Sequence, residues 1–144
     1  MLDVQRGDLQ AMTPLQLLRL QGMEFGVPAA WSVEDSGSEV TLHRTSSGGA
    51  ITISTYRHGD TARTVNALDQ CMRFLASREH GDVPVQGTPT AAIAEFTDES
   101  GVRWIVTTKA RGNRFALGTY NSDARDTSEE SEARQILNGL RLQD

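Results

Sequence analysis

The sequence predicts the α+β class, as a three-layer α/β/α sandwich on a largely antiparallel sheet. Three observations carry this. Residues 40–45, 50–56, 91–97, 102–109 and 114–120 alternate apolar and polar side chains, the two-residue period of strands, and short turns join them. Two stretches, one from Val65 and one from Ala133, repeat apolar residues at helical spacing. Strand faces turned away from the main core still carry Ile93, Ile105 and Ala116, where a sheet wet on one side would be polar. Helices on both faces of the sheet satisfy all three.

In chain order, residues 1–12 read as a loose arm and residues 13–144 as a single domain. Thr13 as cap, Pro14 at the first helical position and Gln16 closing a capping box begin a short leucine-rich helix that stops at Gly22. Phe25-Gly26-Val27-Pro28 is a brief extended segment, Trp31 follows, and Asp35-Ser36-Gly37-Ser38 is a turn. A hairpin centred on Ser47-Gly48 sets Leu42 opposite Ile53 and Val40 opposite Thr55, all on one face. Asp60 or Thr61 caps the next helix, whose stripe is Val65, Leu68, Cys71, Met72 and Leu75; it runs to about His80, with Gly81 as its stop. Residues 83–89, with Pro84 and Pro89, form a connection.

A three-strand meander follows. Its first hairpin pairs Ala94 with Trp104 and Glu95 with Arg103; its second pairs Val106 with Leu117 and Thr108 with Phe115. In the last helix Thr127 opens a capping box with Glu130, and Glu129, Glu130 and Glu132 crowd the first turn, where the helix dipole favours them. Ala133, Ile136, Leu137 and Leu140 line one face, and Gly139, unfavourable within a helix, marks tight packing.

Composition narrows the function. The chain has 144 residues, enough for one domain with a real core. Fourteen Lys and Arg against nineteen Asp and Glu leave a net charge of −5, which argues against nucleic acid as partner. The single cysteine, Cys71, forbids an internal disulfide and a cysteine-built zinc site. No segment reaches the roughly 20 apolar residues of a membrane helix, and the first ten residues lack a secretory signal's basic start and apolar run, so a cytoplasmic protein is expected.

Two motifs carry a resemblance. Phe25-x-Val27-Pro28-x-x-Trp31 resembles the opening F-x-V-P-x-x-W of the PsbP-like superfamily, including its bacterial DcrB-like members. Ala133-x-x-Ile136-Leu137-x-x-Leu140-Arg141 is similar to that family's final helix, and the element order across residues 23–142 matches. The helix expected over 14–21 departs from the pattern. The resemblance implies an α/β/α sandwich with a non-catalytic role. Its relatives include an accessory protein of photosynthetic oxygen evolution, a Ran-binding import factor and bacterial secretion-effector chaperones. They share a scaffold without a common site, so no functional residue is carried over.

Chemistry-bearing residues are few and scattered. His43, His58 and His80 are too far apart along the expected elements to share a metal, with His43 placed opposite Thr52. Asp123 and Asp126 lack the spacing of a calcium loop. Cys71 lies on an apolar helix stripe, as an inert core thiol. Ser46 and Ser47, near His43 and His58, read as turn residues because no orienting acid accompanies them, and His58-Asp60 competes with capping. Ser46-Ser47-Gly48-Gly49 leads into a strand, where a phosphate cradle needs a helix. Trp31, Trp104 and Phe96 are core residues; Tyr56 and Tyr120 are either covered by a helix or part of a partner surface.

The charge pattern is more telling. Residues 102–114 hold Arg103, Lys109, Arg111 and Arg114 and no acid, whereas residues 123–132 hold five acids and only Arg125. The two segments either attract each other within the fold or leave a basic hairpin tip, Lys109, Arg111 and Arg114, for an acidic partner. The expectation is a non-enzymatic accessory protein, a secretion-related chaperone or immunity factor, needing no cofactor. It engages another protein through that tip and through Leu15 and Leu18, with a second copy of the chain as the other candidate partner. The alternative is a small-molecule or lipid binder with a pocket between sheet and helix.

Overall fold

The structure is a computed structural model and describes residues 15–44, 48–123 and 126–144. In chain order the strands are β1 (Leu15–Leu20), β2 (Met23–Pro28), β3 (Trp31–Asp35), β4 (Glu39–Arg44) and β5 (Ala50–Arg57). Helix α1 (Ala67–Ser77), strands β6 (Gln86–Gly87), β7 (Ala91–Thr97), β8 (Arg103–Arg111) and β9 (Arg114–Ser122), helix α2 (Thr127–Gly139) and strand β10 (Arg141–Leu142) follow. An antiparallel sheet of order β3-β4-β5-β9-β8-β7-β6 forms the middle layer, and a smaller one, β1-β2-β10, lies beside α2.

Two hydrophobic cores flank the large sheet. On one face Ala133, Ile136 and Leu137 of α2 and its cap residue Leu140 pack with Val40, Leu42, Ile51, Ile53, Ile105 and Ala116, joined by Met23, Phe25 and Val27 of β2. On the other, Ala67, Cys71 and Leu75 of α1 cover Ala92, Ala94 and Val106. Both faces of β8 are therefore apolar, through Ile105 and Val106.

The segment expected as the first helix is strand β1. Leu15-Gln-Leu-Leu-Arg-Leu is too short to hold a helix alone, and Leu18-Arg19-Leu20 carries the two-residue spacing of a strand. Leu18 and Leu20 pack on the core. Gln21 (φ 54°) and Gly22 (φ 76°) close a two-residue hairpin with β2, both in the left-handed region that a type I′ turn requires. Gly22 is thus a turn residue rather than a helix stop. Thr13 and Pro14, the arm over 1–12, the Ser46-Ser47 turn and Arg125 lie outside the described residues.

The expected hairpins all form, each displaced by two residues. Val40 pairs with Ile53 and Leu42 with Ile51; Ala94 with Val106 and Glu95 with Ile105; Val106 with Thr119 and Thr108 with Leu117. His43 accordingly faces Ser32, and Thr41 takes the place opposite Thr52. A slide by two leaves each side chain on its own face, so alternation does not separate these registers and turn geometry decides. In the β8–β9 hairpin that turn is Gly112-Asn113, with Gly112 at φ 59°.

Helix boundaries also move. Asn66, not Asp60 or Thr61, caps α1 by accepting from Asp69 N at 3.1 Å. Asp60 instead accepts from Ala62 N within its own turn. Beyond the Arg78 cap, Glu79 takes φ 64°, and His80 N donates to Leu75 O at 2.7 Å, so the helix ends before His80 and Gly81. Met72 of the expected stripe is exposed. Asp126, rather than Thr127, caps α2 by accepting from Glu129 N. Gly139 borders open space; the tight approach is at Gly118 of β9, where an added Cβ would lie 2.6 Å from Leu137 Cδ2. The connection over 83–89 contributes the short edge strand β6.

Candidate functional site

The histidines stay apart. His43 is half-buried on β4, His58 Nδ1 accepts from Asp60 N at 3.0 Å, and the His80 ring lies 4.8 Å from that of Phe96. Among the described residues no three His, Cys, Asp or Glu side chains gather as a metal-binding group. Cys71 is fully buried, and burial pushes its thiol up to about 11, far from the thiolate a nucleophile needs. Trp31 is buried and donates to Glu132 Oε1 at 3.1 Å, while the half-buried Trp104 stacks on Phe96 and donates to Asp98 at 3.0 Å. That donation is the main reason the Asp98 carboxyl sits below its ordinary range.

The basic and acidic segments meet in part. Arg103 bonds Glu95 Oε1 at 2.8 Å and Glu130 Oε1 at 3.3 Å. Arg134 bonds the same two carboxylates, closing a ring of four alternating charges across β7, β8 and α2. The hairpin tip is engaged by the chain's own last residues. Lys109 Nζ donates to Asn138 O at 2.9 Å, at the carbonyl end of α2, and burial lowers its pKa. Arg114 donates to Gln143 O, and Arg111 pairs with Asp144. Arg111, Arg141 and Glu24 line one open cleft of about 510 Å³ there.

Strand β1 separates the two leucines that sequence reasoning placed together. Leu18 points into the core, whereas Leu15 and Leu17 stand outward, 46% and 56% exposed. On the same outer face Arg19 and Arg141 both bond Glu24, Arg19 Nε at 2.9 Å and Arg141 Nε at 2.8 Å, and these arginines hold its carboxyl below the usual range. The other side of β1 has no strand among the described residues.

The second surface escaped the sequence reading. Helix α1 packs chiefly over β7 and β8 on its face of the large sheet, with Leu117 of β9 at its margin. Beside it lies a trough of about 520 Å³. Its floor is Thr52, Ser54 and Tyr56 of β5 with Leu117, Thr119 and Asn121 of β9; its walls are Glu39 on one side and, on the other, Phe74 of α1 and the cap residue Arg78. Tyr56 is 47% exposed and stacks on Phe115 at 4.8 Å. Tyr120 points the opposite way and is sealed beneath α2. The signal was present: Thr52-x-Ser54-x-Tyr56 and Leu117-x-Thr119-x-Asn121 put hydroxyls and amide where a covered sheet would be apolar.

Solved structures share this architecture. The solution structure of cyanobacterial PsbP (CyanoP) from Synechocystis sp. PCC 6803 matches with a TM-score of 0.64 at 12% identity, over 91% of this chain and 94% of that one. A crystal structure from Bacteroides thetaiotaomicron VPI-5482 matches with a TM-score of 0.56 at 16% identity, over 85% of this chain; the match spans about half (46%) of that chain. No family model and no curated protein matches the sequence. At these identities the likeness is one of fold, and the fold is PsbP-like. No helix among the described residues is long and apolar enough to cross a membrane.

Proposed function

We propose that this PsbP-like domain is a non-enzymatic accessory protein that binds another protein, and that the partner adds an extended acidic segment along the outer edge of β1. The carrying observation is that edge: a six-residue strand with one side unpaired among the described residues, exposing Leu15 and Leu17 beside Arg19. Strand addition draws affinity from backbone hydrogen bonds and specificity from alternate side chains. Leu15 and Leu17 offer apolar contact on one face. Arg19, Arg141 and Arg111 around the same end of the small sheet favour an acidic segment. Within the basic tip Lys109 and Arg114 hold backbone carbonyls, so the partner's acid meets the tip at Arg111, where it replaces Asp144 in an exposed ion pair. We place this activity in the cytoplasm, whose reducing conditions suit a single buried thiol.

The test combines affinity capture with amide hydrogen exchange. Wild type and Leu17→Lys, both folded by circular dichroism, are compared for the protein each retains. Slowed exchange in β1 of the captured complex, with capture lost in Leu17→Lys, is the expected result. Equal capture by both, or protection elsewhere only, overturns the reading.

A further inference from the structure

We infer that the trough between α1 and strands β5 and β9 of the large sheet is a binding site for a neutral polyhydroxylated ligand, a short oligosaccharide. This rests on a different surface from the β1 edge and stands independently of it.

The floor offers hydrogen-bonding groups that no other described residue uses. The side chains of Thr52, Ser54, Thr119 and Asn121 make no hydrogen bond to any other described residue, although all four are half-buried. None of their polar atoms is sealed from solvent, so all four are open to a ligand that supplies donors and acceptors together. Register organises them: Thr52 and Thr119 lie side by side on adjacent strands of the floor. Neighbouring strands are about 4.8 Å apart. That is close to the separation of alternate equatorial oxygens on a pyranose ring.

The rest of the lining fits the same chemistry. Glu39 and Arg78 give one negative and one positive charge, so the trough selects for neither an anion nor a cation. A carboxylate and a guanidinium each bind a pair of neighbouring hydroxyls in a forked geometry. The exposed Tyr56 ring, backed by its stack on Phe115, supplies an apolar surface for the C–H side of a sugar, with Phe74 in the opposite wall. A volume of about 520 Å³ lies within the range of small-ligand sites. An added peptide strand is a poorer occupant. The floor is the middle of a sheet whose backbone is already paired on both sides, and so has no edge to offer.

Saturation-transfer NMR on the full chain tests this, with maltotriose, cellotriose and chitotriose as probes at about 10 mM, a concentration that reveals millimolar binding. Tyr56→Ala and Thr119→Val are compared with wild type, each variant first matched to it in thermal midpoint. Transfer to the ring protons of at least one trisaccharide, weakened at least about tenfold in both variants, is the expected result. The inference is overturned if no trisaccharide receives saturation, or if transfer persists unchanged in both variants.

Discussion

The Tyr120 hydroxyl donates a 2.6 Å hydrogen bond to Glu129 Oε1, joining the middle of the large sheet to the first turn of α2, with both side chains buried. Ser122 bonds the same phenol, and Gly49 leaves room for the pair: an added Cβ would lie 2.7 Å from Tyr120 Cε1 and against the Glu129 carboxylate. Glu129 Oε2 has no partner among the described residues. Burial and the facing carboxylate both raise the Tyr120 pKa, keeping the phenol a donor at any ordinary pH.

Removing that donor should be costly. Tyr120→Phe is expected to lower stability by about 2 kcal/mol, because it strands a buried carboxyl that a charge-assisted bond had satisfied. Tyr120→Phe with Glu129→Leu should recover part of the loss, since no polar group is then orphaned. Urea midpoints measure both. A single variant within about 0.5 kcal/mol of wild type would show that the bond contributes nothing net.

Two glycines should respond in opposite directions. Gly118→Ala drives a methyl into Leu137 beneath α2 and should destabilise by about 1 to 3 kcal/mol. Gly139→Ala has open space and ends a helix, so it should stabilise by about 0.5 to 1 kcal/mol through the unfolded chain. Thermal unfolding of the two variants side by side checks the sign of each.

Acid should loosen the ring of charges between sheet and α2. Hydrogen bonds from Arg134, foremost, hold the Glu95 carboxyl below its ordinary 4.5. A pKa lower in the folded chain means that the stabilisation is complete above about pH 4.5 and is lost as pH falls through the folded value. Arg134→Met should therefore cost about 1 kcal/mol at neutral pH, for a half-exposed network, and less in acid. Midpoints at neutral pH and near pH 3 decide it; a difference that does not change with pH would remove the linkage.

What the sequence determined by itself is whatever repeats along the chain. The alternation of β4, β5, β7, β8 and β9, the stripes at Cys71 and Leu75 and at Ala133, Ile136, Leu137 and Leu140, and the two-sided apolar character of β8 gave the class and the layers, because burial of a face imposes its period on the residues. Tertiary structure alone decided what has no period. Leu15–Leu20 satisfies helix and strand patterns alike, and only pairing with β2 through Gln21-Gly22 selects the strand. The two-residue slides, the use of the basic tip to hold Gln143 and Asp144, and the trough of Thr52, Ser54, Thr119 and Asn121 all depend on which segments become neighbours. That choice is made by the packing of the whole molecule, and a local pattern is the same before and after it.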